Sequence, residues 1–209
     1  MKISSLDARM CFRESIPEIA EAARLLDAAV SAHLEGDRVR AAYLIKQADI
    51  PEVKEWGYSL WGANSPYIQY QEIPNAGPIL SKGERLKIRM PTAAEKRQLL
   101  QRDGYHCRFC GIPVIRTEIR QRFVHAYPEL EIWGKTNDKQ HAAFQTMWVQ
   151  YDHILPHAKG GGNELSNMVI TCAPCNYGRM NYTLEEVNLI DPRTRSQIVS
   201  EWDGLERFK

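Results

Sequence analysis

Two short cysteine pairs constrain this chain more than anything else in it. They are Cys107-Arg108-Phe109-Cys110 and Cys172-Ala173-Pro174-Cys175, separated by a long intervening stretch. A CxxC knuckle holds two thiolates close enough to share one tetrahedral ion. Two knuckles make a closed four-sulfur site, which is structural and contributes folding energy. The fifth cysteine, Cys11, stands alone. An odd count, behind an N-terminus that carries early charges and no apolar signal core, points to metal rather than disulfides. Cys11 reads as an inert buried thiol. Zinc at Cys107, Cys110, Cys172 and Cys175 is the expectation, against two reduced pairs with no ligand. The gap between the pairs exceeds what a compact zinc ribbon needs, so it must contain structure of its own. Zinc alone implies no activity.

A chain of 209 residues fits one large or two small domains. No apolar run approaches the length of a membrane-spanning helix, so no membrane partner is expected and a soluble, cytoplasmic protein is the default. The first third reads as helical. Ile16-Pro17 opens EIAEAARLLDAAVSAHLEGD, whose Ile19, Ala22, Ala23, Leu26, Ala29 and Val30 follow the spacing of one buried face. Gly36 is a stop, Asp37 a cap for RVRAAYLIKQA, and Pro51 starts a third helix, EVKEWGYSLW. His33 here reads as a core or edge residue. Residues 62–83 are rich in Gly, Pro, Asn and Ser; YIQYQEI within them alternates like a short strand, but its surroundings read as a linker. The expected plan is a helical domain over 1–80, a linker over 81–92, a second domain over 93–190 and a C-terminal helix in 191–209.

Thr92 and Glu95 fit a capping box for a helix ending at Gly104. VIRTEIRQRFVHAYPEL should be helical until Pro128. FQTMWVQY, rich in aromatic and β-branched residues, should be a strand. It delivers Asp152-His153. LPHAKGGGNELSN is a Gly-rich turn, MVIT a second strand and CAPCNYGRM a short helix. Thr183 and Glu186 suggest another capping box, and 193–206 a last helix. Charge is uneven. Residues 81–122 hold 11 Lys and Arg against 4 Asp and Glu, a net of +7 in a chain of net +1. That block is either a solvated helix face or a surface that meets phosphate.

A strand–strand–helix unit would bring Asp152, His153 and Asn176 together, with the helix pinned by the second cysteine pair. In this, DHILPHAKGGGNELSNMVITCAPCNYGR, with RDGYHCRFCG upstream, resembles the HNH endonucleases and their ββα-metal finger in its zinc-stabilised form. The offsets from His153 to Asn167 and from His153 to Asn176 are similar to those in the HNH domain of the RNA-guided CRISPR effector nuclease. The resemblance covers about residues 95–182, with an insertion at about 112–145. Asn176 stands where the family name places a second histidine, a common variant. The fold it implies is α+β: an N-terminal helical domain followed by a ββα-metal HNH nuclease domain with a four-cysteine zinc site.

The resemblance implies roles. Asp152 and Asn176 would offer oxygens to a catalytic Mg²⁺ or Mn²⁺, and His153 would be the general base. Asn167 would hold the loop and the histidine ring. Gly160, Gly161 and Gly162 would allow a tight turn and close approach to DNA. Lys159, Arg179, His157, Arg102 and Arg108 are candidates for contacts with DNA. His141 reads as a surface residue of the insertion, and the tryptophans as core rather than base-stacking platforms. The implied function is a metal-dependent DNA endonuclease or nickase leaving 5′-phosphate and 3′-hydroxyl ends. Stand-alone nucleases of this kind occur in phage defence and mobile elements. The alternative is a non-catalytic zinc-finger protein that binds nucleic acid or a protein partner. The N-terminal helices are the expected surface for such a partner, or a restraint on the nuclease.

Overall fold

The structure, a computed structural model, describes residues 8–61, 65–73 and 76–209. The readings of the N-terminal leader and of part of the Gly- and Pro-rich stretch fall on 1–7, 62–64 and 74–75, outside the described residues. Helix α1 (Pro17–Leu34) has Pro17 in its first turn and buries Ile19, Ala22, Leu26, Ala29 and Val30 along one stripe. Gly36, at φ +85°, turns the chain, and the Asp37 side chain accepts the Arg40 amide to cap α2 (Arg38–Gln47). Helix α3 (Pro51–Ser59) again starts on a proline. Helix α4 (Ala93–Asp103) carries the full Thr92/Glu95 capping box, and α5 (Thr117–Ala126) stops before Pro128. After a short α6 (Ala142–Thr146) come β1 (Val149–His153), β2 (Met168–Cys172) and α7 (Ala173–Arg179). The two strands pair antiparallel, from Val149 against Cys172 to His153 against Met168. The chain is therefore mixed α+β. No helix among the described residues is long and apolar enough to cross a membrane.

The helices of the first third and the finger share one core. Helix α3 packs on α6 and α7. At Gly57 a Cβ would sit 2.7 Å from Thr146 Oγ1, and at Gly178 a Cβ would sit 2.7 Å from the Leu60 carbonyl, so both crossings need glycine. The Thr146 hydroxyl donates to the Val53 carbonyl across the same interface.

Several expected elements differ. Phe144–Thr146 belong to α6 rather than to the strand, because a short apolar run buried on all sides does not distinguish helix from strand by its periodicity. Residues 67–73 form no strand; the Gln71 amide donates to the Glu186 carbonyl instead. The Thr183/Glu186 capping hydrogen bonds exist but close a single turn. Residues 193–206 form no helix beyond the 3₁₀ turn Pro192–Thr194. Their apolar side chains are taken by separate partners. Trp202 Nε1 donates to the Val114 carbonyl, and Phe208 stacks on Phe123 at 3.9 Å. Gly204, at φ +70°, lets the chain pass the Tyr105 ring. His33 lies in this same cluster, its Nδ1 2.7 Å from the Tyr127 hydroxyl.

Candidate active site and metal centre

The four sulfurs meet where β2 turns into α7. Cys172 ends the strand, Cys175 lies in the first turn of the helix, and Cys107 and Cys110 arrive on the loop after α4. All four Sγ atoms lie within 4.8 Å of one another, and Cys110 Sγ is 3.6 Å from Cys172 Sγ. A tetrahedron with metal–sulfur bonds of about 2.3 Å has edges of about 3.8 Å, so the cluster fits one thiolate-held ion. The corner is also stapled through the backbone. The Arg108 amide donates to the Ile170 carbonyl, and the buried Asp103 carboxylate accepts the Ile170 amide at 3.0 Å. Cys11 lies outside the cluster, and burial raises its thiol to about 12.

Strand β1 delivers Asp152 and His153 to a cleft of about 410 Å³, which Asn176 of α7 also lines. His153 is buried, and its Nε2 is 2.8 Å from Asn163 Oδ1. Asn163 Nδ2 donates to the Ile88 carbonyl at 3.3 Å, so its oxygen must be the atom that faces the imidazole. Nε2 therefore carries the proton, and Nδ1 is the basic nitrogen. It has no protein partner among the described residues. Burial lowers the His153 pKa below its ordinary value, against smaller opposing effects of the Asn163 hydrogen bond and the Asp152 carboxylate. The ring is thus neutral near pH 7, as a proton acceptor requires.

Asn167 holds the loop but not the ring. Its Oδ1 accepts the Leu155 amide, and its Nδ2 donates to the Leu155 and Gly162 carbonyls. Orientation of the histidine falls to Asn163, which sequence reasoning missed. Its signal was its place directly after the glycine run. Gly161 is needed for a close approach within the protein rather than to DNA, since a Cβ there would lie 1.8 Å from the Leu155 carbonyl.

The expected DNA-contacting cations have internal partners. Arg179 is fully buried. Its Nε donates to Asp152 Oδ2 at 2.8 Å, Nη2 to Asp152 Oδ1 and the His153 carbonyl, and Nη1 to the Ile154 and Tyr182 carbonyls. Lys159 pairs with Glu186 at 2.6 Å, both side chains buried. Arg102 clamps Asp103 and the Leu165 and Met168 carbonyls. Arg108 donates to the Pro192 and Arg195 carbonyls. His157 Nε2 meets the Leu86 carbonyl at 2.9 Å. Each of these groups closes a loop of the chain, a job that charge patterning cannot reveal. His141 is not on the surface either. It is buried, with Nε2 2.8 Å from the Ile45 carbonyl.

The cations of the cleft that are not taken up by an acid come from residues 80–90. This strap crosses the glycine loop, where the Leu80 amide donates to the Ala158 carbonyl and His157 and Asn163 hold Leu86 and Ile88. It brings Arg85 and Arg89 into the lining beside His153. Among the described residues, Arg85 is tied down only through Nε to the Leu80 carbonyl, and the Arg89 side chain makes no hydrogen bond.

Residues 139–187 match the family model of the HNH endonucleases. That stretch of the chain is similar to the HNH endonucleases. The match spans α6 through α7 and includes Cys172 and Cys175, while Cys107 and Cys110 lie upstream of it. Comparisons with curated proteins and with solved structures gave no match. Divalent metals are a feature of HNH nucleases, and the donors here suit one. Asp152 and Asn176 are hard oxygen donors on one cleft, the kind of site that holds a small cation with several waters. Each Asp152 oxygen already accepts from Arg179. A carboxylate has about four lone-pair sites, so capacity for a cation remains.

Proposed function

We propose that this protein is a metal-dependent DNA endonuclease or nickase. The observation that carries the reading is that His153, Asp152 and Asn176 line one cleft, with Asn163 Oδ1 2.8 Å from His153 Nε2, so that the other ring nitrogen is left to act as base. A zinc finger that only binds nucleic acid would need the cysteines and a basic surface, but no imidazole of defined tautomer beside two oxygen donors.

In this mechanism His153 Nδ1 accepts the proton of a water placed in line with the scissile phosphorus. Asp152 and Asn176 would hold a divalent cation, most simply Mg²⁺ or Mn²⁺, and Cys107, Cys110, Cys172 and Cys175 would hold zinc. When bound, the divalent cation supplies Lewis acidity to the phosphate and the departing 3′ oxygen. Arg85 and Arg89 draw the backbone into the cleft and orient it. Asn167 keeps the glycine loop closed behind Leu155. The products carry 5′-phosphate and 3′-hydroxyl ends. The test is conversion of supercoiled plasmid to nicked or linear form in a Mg²⁺ and Mn²⁺ titration. His153→Ala should abolish it at unchanged zinc content. Equal cutting by wild type and variant, at matched purity, removes the base assignment.

A further inference from the structure

Arg120 of α5 is an anomaly. It is 7 % exposed, yet its side chain donates no hydrogen bond and forms no ion pair among the described residues. The guanidinium lies over the Trp133 ring at 3.5 Å and near Trp148 at 4.8 Å. The ring centroids are 5.9 Å apart, so Trp133 covers one face of the guanidinium and Trp148 stands to its side rather than over the opposite face. They leave its edge, where all five N–H donors point, without acceptors. Burying such an edge unpaired is costly unless something binds there. Nη1 is sealed from solvent, whereas Nε and Nη2 are not. Nε and Nη2 form one fork, the geometry that takes a phosphate oxygen pair. Arg120 lines a surface hollow together with Gln121, Val124, His125, Pro128 and Trp133, with no acid among them.

The hollow is joined to the catalytic cleft by rings. Trp148 lies 5.9 Å from Trp133 and 6.4 Å from Tyr177 between ring centroids, and Tyr177 lines the cleft beside Asn176. Trp61 also meets Tyr177, at 5.8 Å. None of these four rings is fully buried, unlike Trp56 in the core. Cations interleaved with aromatic rings suit unpaired nucleotides, whose bases are free to stack on side chains; a duplex keeps its bases stacked inside. We propose that Arg120, packed against Trp133 and Trp148, is a phosphate subsite for an unpaired stretch of the substrate strand that continues from the cleft across Tyr177. The subsite rests on the nuclease reading above, and makes the preferred substrate one with a single-stranded segment beside the cut, such as a flap or bubble.

The test uses the full chain carrying His153→Ala, so that binding is read without cutting. A twelve-nucleotide oligo-dT, a duplex of the same length and inorganic phosphate are titrated over a salt series, with and without Arg120→Met. The expected result is single-strand binding tighter than duplex, weakened about tenfold by Arg120→Met, as loss of a charge-assisted contact implies. The slope of log K on log salt should fall by about 0.7, the value for one phosphate of a single strand. Unchanged affinity and slope in a variant with normal zinc content overturn the subsite. Duplex bound as tightly as single strand overturns the unpaired-strand assignment. Arg120-dependent binding of inorganic phosphate as tight as that of the oligonucleotide replaces the strand with a free anion. Should Arg120→Met fail to fold, the Arg120 Nε–H and Trp133 indole resonances decide the matter; both must move when oligo-dT is added to the Arg120-containing protein, and stationary resonances refute the proposal. Binding that depends on Arg120 would survive a failure of the cleavage assay, and a wild type that cuts while Arg120→Met binds normally would leave the nuclease and remove the subsite.

Discussion

Arg179 is the strongest single commitment of the finger, and its removal should be severe. Arg179→Met keeps volume but deletes both contacts to Asp152 and the donors to the His153, Ile154 and Tyr182 carbonyls. Arg179 is fully buried and Asp152 5 % exposed, so the stranded carboxylate has little water to turn to. Breaking a buried pair from one side costs about 3–5 kcal/mol. For a chain of this size that corresponds to a melting temperature lower by roughly 6–20 °C. Adding Asp152→Leu removes the uncompensated charge and should restore about half of the loss, while the three carbonyls remain undonated. Mg²⁺ should raise the melting point of Arg179→Met more than that of wild type, because the cation takes the place of the guanidinium, and should not do so for the double variant. The assay is thermal unfolding followed by far-ultraviolet circular dichroism with zinc retained. A single variant that melts within about 2 °C of wild type, or a double variant no better than the single one, refutes the reasoning.

Two further outcomes follow from the site. Arg85→Gln with Arg89→Gln should leave the melting temperature within about 2 °C of wild type. It should slow cleavage and lower the salt slope of duplex binding by about 0.9 for each phosphate no longer neutralised; an unchanged slope in electrophoretic mobility assays would show that the strap does not meet the backbone. Zinc removal by a thiol-competing chelator, or Cys172→Ser, should unfold the β2–α7 corner. It should abolish cleavage even in saturating Mg²⁺, because Asn176 follows Cys175 directly; metal analysis beside circular dichroism reads this, and a folded, active, zinc-free protein would contradict it.

Local signals in the sequence translated well. Prolines at helix starts, the Thr92 capping box and the two cysteine knuckles each act within a few residues, and each appears at its expected place. The adjacency of Asp152 and His153 at a strand end was equally visible. What stayed hidden was pairing at a distance. Arg179 meets Asp152 across 27 residues, and Arg108 meets the Pro192 carbonyl across 84. A cation that closes a loop and a cation that waits for phosphate have the same composition, so the five basic candidates looked alike. The division of labour between Asn163 and Asn167 was hidden for a related reason. Both lie on the loop after β1, and only the fold decides which amide reaches the imidazole and which reaches Leu155.

The first third of the chain also takes on a different meaning. A module that merely restrained the nuclease from outside would meet it through a separable, polar surface. Here the contact is core-like. Trp56 and Leu60 are fully buried, and Gly57 and Gly178 allow α3 to approach α6 and α7 more closely than any side chain permits. Asn176 sits between two constraints on α7: Cys175, held by the sulfur cluster, and Gly178, pressed against the Leu60 carbonyl. The metal-ligand geometry proposed for Asn176 thus depends on α3 as much as on zinc. The lone finger offers two strands of five residues and a helix of seven, too little to bury a core by itself. The N-terminal helices supply the missing wall, which makes them part of the site's architecture rather than an accessory to it.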